Sequence, residues 1–112
     1  MFPFFRKRLI FLLMWAALGA SSVGLTPPKP QMLTIVSFNA SLNRETAGEL
    51  IRDLQTKDNP QARNVAEILQ RLRPDVVALL EFDYDPEGKA WQLFHDNYLM
   101  VSQNGQEPLR LE

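Results

Sequence analysis

The feature that most constrains this chain is a helix signal bracketed by two prolines, with an apolar run on either side. Asn59 is a good capping residue, and Pro60 fits the first helical position. Val65, Ile68, Leu69 and Leu72 then recur at i, i+3, i+4 and i+7, one apolar stripe, until Pro74 ends the helix. Before it, Met32-Leu-Thr-Ile-Val-Ser-Phe-Asn39 is rich in β-branched and apolar residues and reads as a strand. After it, Asp75-Val-Val-Ala-Leu-Leu80 reads as a short buried strand. Strand, helix and strand joined by a short final loop predict a β-α-β unit with two parallel strands. Apolar residues occur on both faces of the first run, which suits a strand covered on both sides.

Smaller elements fill the gaps. Thr46-Ala-Gly-Glu49 fits a capping box, and Leu50, Ile51 and Leu54 follow at helical spacing, predicting a short helix to about Gln55. A further helix is predicted from Lys89 to Asp96, with Trp91, Phe94 and Tyr98 packing inward. Tyr98-Leu-Met-Val-Ser102 is predicted as a third strand. The tail after Asn104 carries turn residues and no clear element.

The N-terminus reads as an address. Arg6, Lys7 and Arg8 precede an uncharged run from Leu9 to Leu18, and Gly19, Ala20, Ser21 and Ser22 follow. This is the order of a secretory signal, predicted over residues 1–22. The apolar run is about half the ~20 residues that a membrane-spanning helix needs. Cleavage is expected at Ala20-Ser21-Ser22 or Ala17-Leu18-Gly19, for a periplasmic or extracellular product. The alternative is an uncleaved signal that anchors the chain. Residues 23–31 include Thr26-Pro-Pro-Lys-Pro30 and read as an extended linker, leaving residues 32–112 as the folded domain.

Composition sets bounds on function. The 112 residues carry a formal net charge of −1, which gives no reason to expect nucleic acid held by bulk electrostatics. A metal-assisted phosphate site remains open, because the ion brings the positive charge. There is no cysteine, so disulfides, zinc-thiolate sites and thiol nucleophiles are excluded.

Two polar residues stand where the predicted strands end, Asn39 on the first and Glu81 on the second. Ligands of parallel α/β sheets bind at that edge. A carboxylate such as Glu81 is a hard-oxygen ligand for Mg²⁺ or Mn²⁺. An amide such as Asn39 can hydrogen-bond a phosphate oxygen or hold a catalytic carboxylate. The plain alternative is turn-capping at Asn39 and simple solvation at Glu81.

Ile35-Val-Ser-Phe-Asn39, an apolar-striped helix, then Arg73-Pro-Asp-Val-Val-Ala-Leu-Leu-Glu81 together resemble the opening of the endonuclease/exonuclease/phosphatase superfamily. The resemblance runs from Leu33 to about Asp85. It implies the N-terminal part of a two-sheet α/β sandwich and metal-assisted phosphoester hydrolysis. It also implies that Glu81 binds Mg²⁺ (or Mn²⁺) and that Asn39 orients the phosphate or the catalytic carboxylate. The family's later motifs (a catalytic His/Asp pair, Asp-x-Asn and Ser-Asp-His) do not occur here, and His95 is the only histidine. The expectation is therefore a partial domain, inactive alone: a truncated product, a fragment or one half of a split reading frame. Its expected partners are a phosphorylated small molecule or nucleic acid, and the C-terminal part of the same domain. The competing reading is a small non-enzymatic exported binding module or a degenerate remnant; the DNA downstream of codon 112 discriminates the two. Half a sandwich would also leave one sheet face bare, an apolar patch on the order of several hundred Å², which predicts self-association.

Other candidates carry less. Asp83-Tyr-Asp85-Pro-Glu87-Gly88 mimics the start of a calcium loop, but Pro86 interrupts it and Phe94 stands where the closing Glu belongs. Asp83 and Asp85 either line the metal cleft beside Glu81 or form a solvated loop. Trp91 and His95 share a helix face and read as a packed or surface pair. Asn39-Ala-Ser41 is a glycosylation sequon on paper. Ser37 and Ser41 have no histidine in motif spacing, so serine catalysis lacks support.

Overall fold

The structure is a computed structural model, and it describes Gly24 and residues 26–112. The chain divides into two units, Met1–Gln31 and Met32–Glu112. The predicted signal segment lies outside the described residues. Residues 26–31 of the first unit contain neither helix nor strand. No helix among the described residues is long and apolar enough to cross a membrane.

The second unit is α/β. Strand β1 spans Ile35–Leu42, helix α1 Glu49–Leu54, helix α2 Pro60–Leu72, strand β2 Val76–Phe82 and helix α3 Lys89–Phe94, which runs directly into a π-helical turn at His95–Leu99. β1 and β2 pair in parallel, Ile35 opposite Val76 through Asn39 opposite Leu80. A polar clamp fixes this register at its start: the Thr34 amide donates to Asp75 Oδ2 at 2.7 Å, while the Thr34 carbonyl accepts from the Asp75 and Val76 amides.

The sheet has one packed face and one bare face. Phe38, Ala40, Leu42, Val77, Leu79 and Phe82 join the core with the helices. Ile35, Ser37, Asn39, Val76, Ala78 and Leu80 alternate with them and are exposed. The expectation of a first strand covered on both sides is thus corrected: apolar side chains on both faces show what a strand could bury, and among the described residues one layer of helices is present to bury them. Ile35 is 67% exposed and Leu80 54%, so the bare face retains apolar surface.

The helix between the prolines forms as predicted. Asn59 Oδ1 accepts from the Ala62 amide at 3.0 Å, and Arg73 leaves the helix in a left-handed conformation just before Pro74. Its buried stripe is rotated from the expected one. Ala62, Val65, Ala66, Leu69 and Gln70 are buried, whereas Ile68 and Leu72 are partly exposed at 39% and 48%. The cause is Gln70, whose amide donates to the Leu99 and Val101 carbonyls and accepts from the Gln103 amide, tying the tail to α2. A buried polar side chain is stable only when so satisfied.

Two local predictions are corrected. The capping box at Thr46 does not form; α1 begins after Gly48, whose left-handed backbone (φ 79°) sets the entry, and Thr46 contributes only its carbonyl to the Glu49 amide. The third strand at Tyr98–Ser102 is absent, because the helical stripe simply continues. Tyr98 stacks on Phe94 with centroids 6.1 Å apart, and its hydroxyl donates to the Thr56 carbonyl. Phe94 and Tyr98 are fully buried. Burial of each such side chain stabilises by roughly 1.5–3 kcal/mol, more than the ~1 kcal/mol that β-propensity can shift.

Candidate functional site

Asn39 and Glu81 stand one register step apart near the carboxyl ends of the two strands. Asn39 pairs with Leu80, the residue before Glu81. β1 does not end at Asn39 as expected but continues to Leu42 through a bulge: from the Asn39–Leu80 pair to the Leu42–Phe82 pair, β1 advances three residues and β2 two. Ser41 (φ 49°) and Glu81 (φ 52°) both take left-handed conformations there. Strict alternation would turn Glu81 toward the helices. The left-handed backbone interrupts it, so Leu80 and Glu81 are both exposed and Phe82 returns to the packed side. Left-handed backbone at a glutamate costs on the order of 1–2 kcal/mol.

The Asn39 side chain is held. Its Oδ1 accepts from the Ser41 amide at 2.9 Å and from Ser41 Oγ at 3.2 Å. The oxygen is thereby turned to the chain, and Nδ2, a donor, has no protein acceptor among the described residues. Asn39 can therefore donate to a phosphate oxygen or a carboxylate. Glu81 has neither a hydrogen bond nor an ion pair among the described residues, so both its oxygens are available to a hard cation.

Supports for this edge come from residues that no motif singled out. Gln61, on the first turn of α2, donates to the Ser41 carbonyl and accepts from Arg44 Nη2. Arg44 also forms an ion pair with Asp53 at 2.8 Å. Lying on separate elements, these residues have no common spacing that a sequence reading could detect.

The neighbouring acids serve the backbone. Asp83 accepts from the Arg44 amide with both oxygens, at 3.2 and 3.1 Å, joining the loops that follow the two strands. Asp85 accepts from the Ala90, Lys89 and Glu87 amides at the start of α3. The Ala90 and Lys89 N–H groups, in that order, hold its carboxyl below the usual aspartate range. His95 contacts Asp96 through Nδ1 at 2.7 Å, and its ring lies 6.2 Å from that of Trp91, the packed one of the two arrangements, packed or surface, that the spacing allowed. No cluster of three or more His, Asp or Glu side chains able to hold a metal occurs among the described residues.

Two clefts flank β2 and the loops, and neither includes Asn39 or Glu81. One of about 340 Å³ lies between the loops after the strands, bordered by Arg44, Ile51 and Asp83. The other, about 520 Å³, runs along β2 beside Trp91. The Asn39–Glu81 pair sits on open surface.

A parallel strand–helix–strand layer with an amide and a carboxylate at the carboxyl ends of its strands defines an α/β domain of the type that places ligands at that edge. A model of the endonuclease/exonuclease/phosphatase family matches residues 36–108, most of the chain and both of these residues. The chain belongs to this family, and its domain is phosphoesterase-like. The family generally uses divalent metals and acts on phosphorylated substrates or nucleic acids. No curated protein and no solved structure matches the chain significantly.

Proposed function

We propose that this chain is the exported N-terminal part of a Mg²⁺- or Mn²⁺-dependent phosphoester hydrolase, with Glu81 as a metal ligand and Asn39 as the group that orients the phosphate. The observation that carries this reading is the register: Asn39 pairs with the neighbour of Glu81, and both lie within the family match. The Arg6–Arg8 block followed by the apolar run to Leu18 supports export.

A single free carboxylate suits Mg²⁺, which usually keeps several waters and completes its shell with substrate phosphate. When bound, such an ion polarises the phosphoryl oxygen and steadies the leaving oxygen. Asn39 Nδ2 then anchors the phosphate, and the Ser41 turn keeps that donor aimed outward. No general base is paired with Glu81 among the described residues, so the 112 residues alone are inactive and the complementing part of the domain is a required partner. A second reading, an exported module that binds without catalysis, draws on the engagement of Asp83 and Asp85 with backbone amides.

Calorimetry with Mn²⁺ and assay against bis(p-nitrophenyl) phosphate test this reading. The expected result is Mn²⁺ binding on the order of a millimolar or weaker, lost in Glu81→Ala, with no turnover. Mn²⁺ binding unchanged by Glu81→Ala would remove the ligand assignment. Turnover abolished by the same substitution would overturn the claim of inactivity.

A further inference from the structure

The bulge that carries Asn39 is held from outside its own strand. Ser41 bears a side chain yet stands at φ 49°, a conformation that is costly for a residue with a Cβ and persists only where its surroundings fix it. In that conformation the Ser41 amide and Oγ both reach Asn39 Oδ1. The Ser41 carbonyl meanwhile accepts from Gln61 Nε2, on the first turn of α2. Gln61 Oε1 accepts from Arg44 Nη2 at 3.2 Å, and Arg44 Nε donates to Asp53 Oδ2 on α1 at 2.8 Å. A guanidinium only donates, so it admits the oxygen end of the Gln61 amide and leaves the NH₂ end for Ser41. Gln61 therefore links α1, through Arg44, to the turn that orients Asn39.

We infer that Gln61 is a positioning residue: by holding the Ser41 carbonyl it maintains the left-handed turn that keeps Asn39 Nδ2, the phosphate donor, aimed outward. The inference rests on the reading of Asn39 as the group that orients the phosphate. Without this hold, Ser41 relaxes toward ordinary strand geometry and its amide leaves Asn39 Oδ1. The Asn39 amide then turns about a broad, two-fold torsion. It presents its oxygen, which repels a phosphate oxygen, as readily as its NH₂ group. Glu81 lies on the other strand and has no hydrogen bond to this chain of residues. Loss of Gln61 should therefore weaken phosphate binding and spare the metal.

Three measurements on the full chain test it: titration with inorganic phosphate in Mg²⁺, followed by the ¹⁵N signal of the Asn39 side-chain amide; Mn²⁺ calorimetry; and the Ser41 coupling constant that reports φ. Gln61→Glu keeps the Arg44 contact but offers no donor to the Ser41 carbonyl. Gln61→Ala removes both contacts. Each is expected to lower phosphate affinity about tenfold, the loss of one hydrogen bond to a charged group, and to leave Mn²⁺ affinity within about twofold. Each should also move the Ser41 coupling. Ser41→Gly added to Gln61→Ala is expected to restore most of the phosphate affinity, since glycine takes a left-handed φ freely and keeps its backbone amide for Asn39. Mere support of α2 by Gln61 would not be repaired by that second substitution, so a failed rescue would overturn the inference. Phosphate affinity and Ser41 coupling unchanged in both Gln61 variants would overturn it too, as would an equal loss of Mn²⁺ affinity. If the parent binds neither ion, the assignment of Asn39 and Glu81 fails. An unmoved Ser41 coupling would then overturn the positioning role as well, and a moved one would uphold the hold of Gln61 on the turn.

Discussion

The two faces of the same two strands have opposite fates. On one, Ala40 and Leu42 are buried against helices, and Phe38, Val77 and Leu79 pack partly into that core. On the other, Ile35, Asn39, Leu80 and Glu81 face solvent. The packed face defines the fold, and its residues are interchangeable with others of similar shape. The bare face contributes little to stability, so its departures from plain strand geometry, the bulge after Asn39 and the left-handed Glu81, call for a reason other than packing.

The contrast breaks most sharply under truncation. Phe94→Ala should destabilise the domain by about 3–5 kcal/mol, because it empties a site walled by Phe82, Trp91 and Tyr98. Leu80→Ser on the bare face should change stability by no more than about 0.5 kcal/mol while reducing self-association. Chemical denaturation and sedimentation measure the two effects. Similar losses at both positions would mean that the second face is covered in solution.

A subtler test asks whether Glu81 holds its backbone at a cost. Glu81→Gly should stabilise the domain by roughly 0.5–1 kcal/mol, since glycine adopts a left-handed φ without penalty. The same change removes the carboxylate and with it Mn²⁺ binding. Stability and ion binding should therefore move in opposite directions at this position, whereas at Phe94 only stability should respond.

The smallest effect concerns Asp85. Its carboxyl titrates below the unfolded value of about 3.9. A depressed native pKa gives stability that is present above the unfolded pKa and lost as pH falls through the native one. Asp85→Ala should thus be less stable than the parent at neutral pH, and the gap should close in strong acid. A gap independent of pH would mean that the charge at the start of α3 is irrelevant.

What could be read from the residues follows a physical divide. The α2 cap at Asn59–Pro60, the stop at Pro74 and the parallel pair were legible because each rests on local stereochemistry or a repeating period. Asn39 and Glu81 were legible as polar groups near the carboxyl ends of the strands, although both strands run past them, and the pairing sets them one register step apart. Burial of both strand faces was not decidable, because apolar periodicity records capacity and is silent on what covers a face. The segment after His95 misled because Tyr98-Leu-Met-Val favours strand locally, while the Phe94–Tyr98 stack and the Thr56 carbonyl favour helix from a distance. Asp83 and Asp85 gave no sign of their backbone partners, and Gln61 and Arg44 gave none of their network, since those contacts join separate elements.

The most direct measurement is paramagnetic broadening of amide signals by Mn²⁺ in the ¹⁵N-labelled chain. The Asn39 side-chain amide and the backbone of Leu80–Phe82 should broaden first, and Glu81→Ala should abolish the effect while leaving the rest of the spectrum in place. Broadening centred on Asp83 and Asp85 instead, or surviving in Glu81→Ala, would contradict the account.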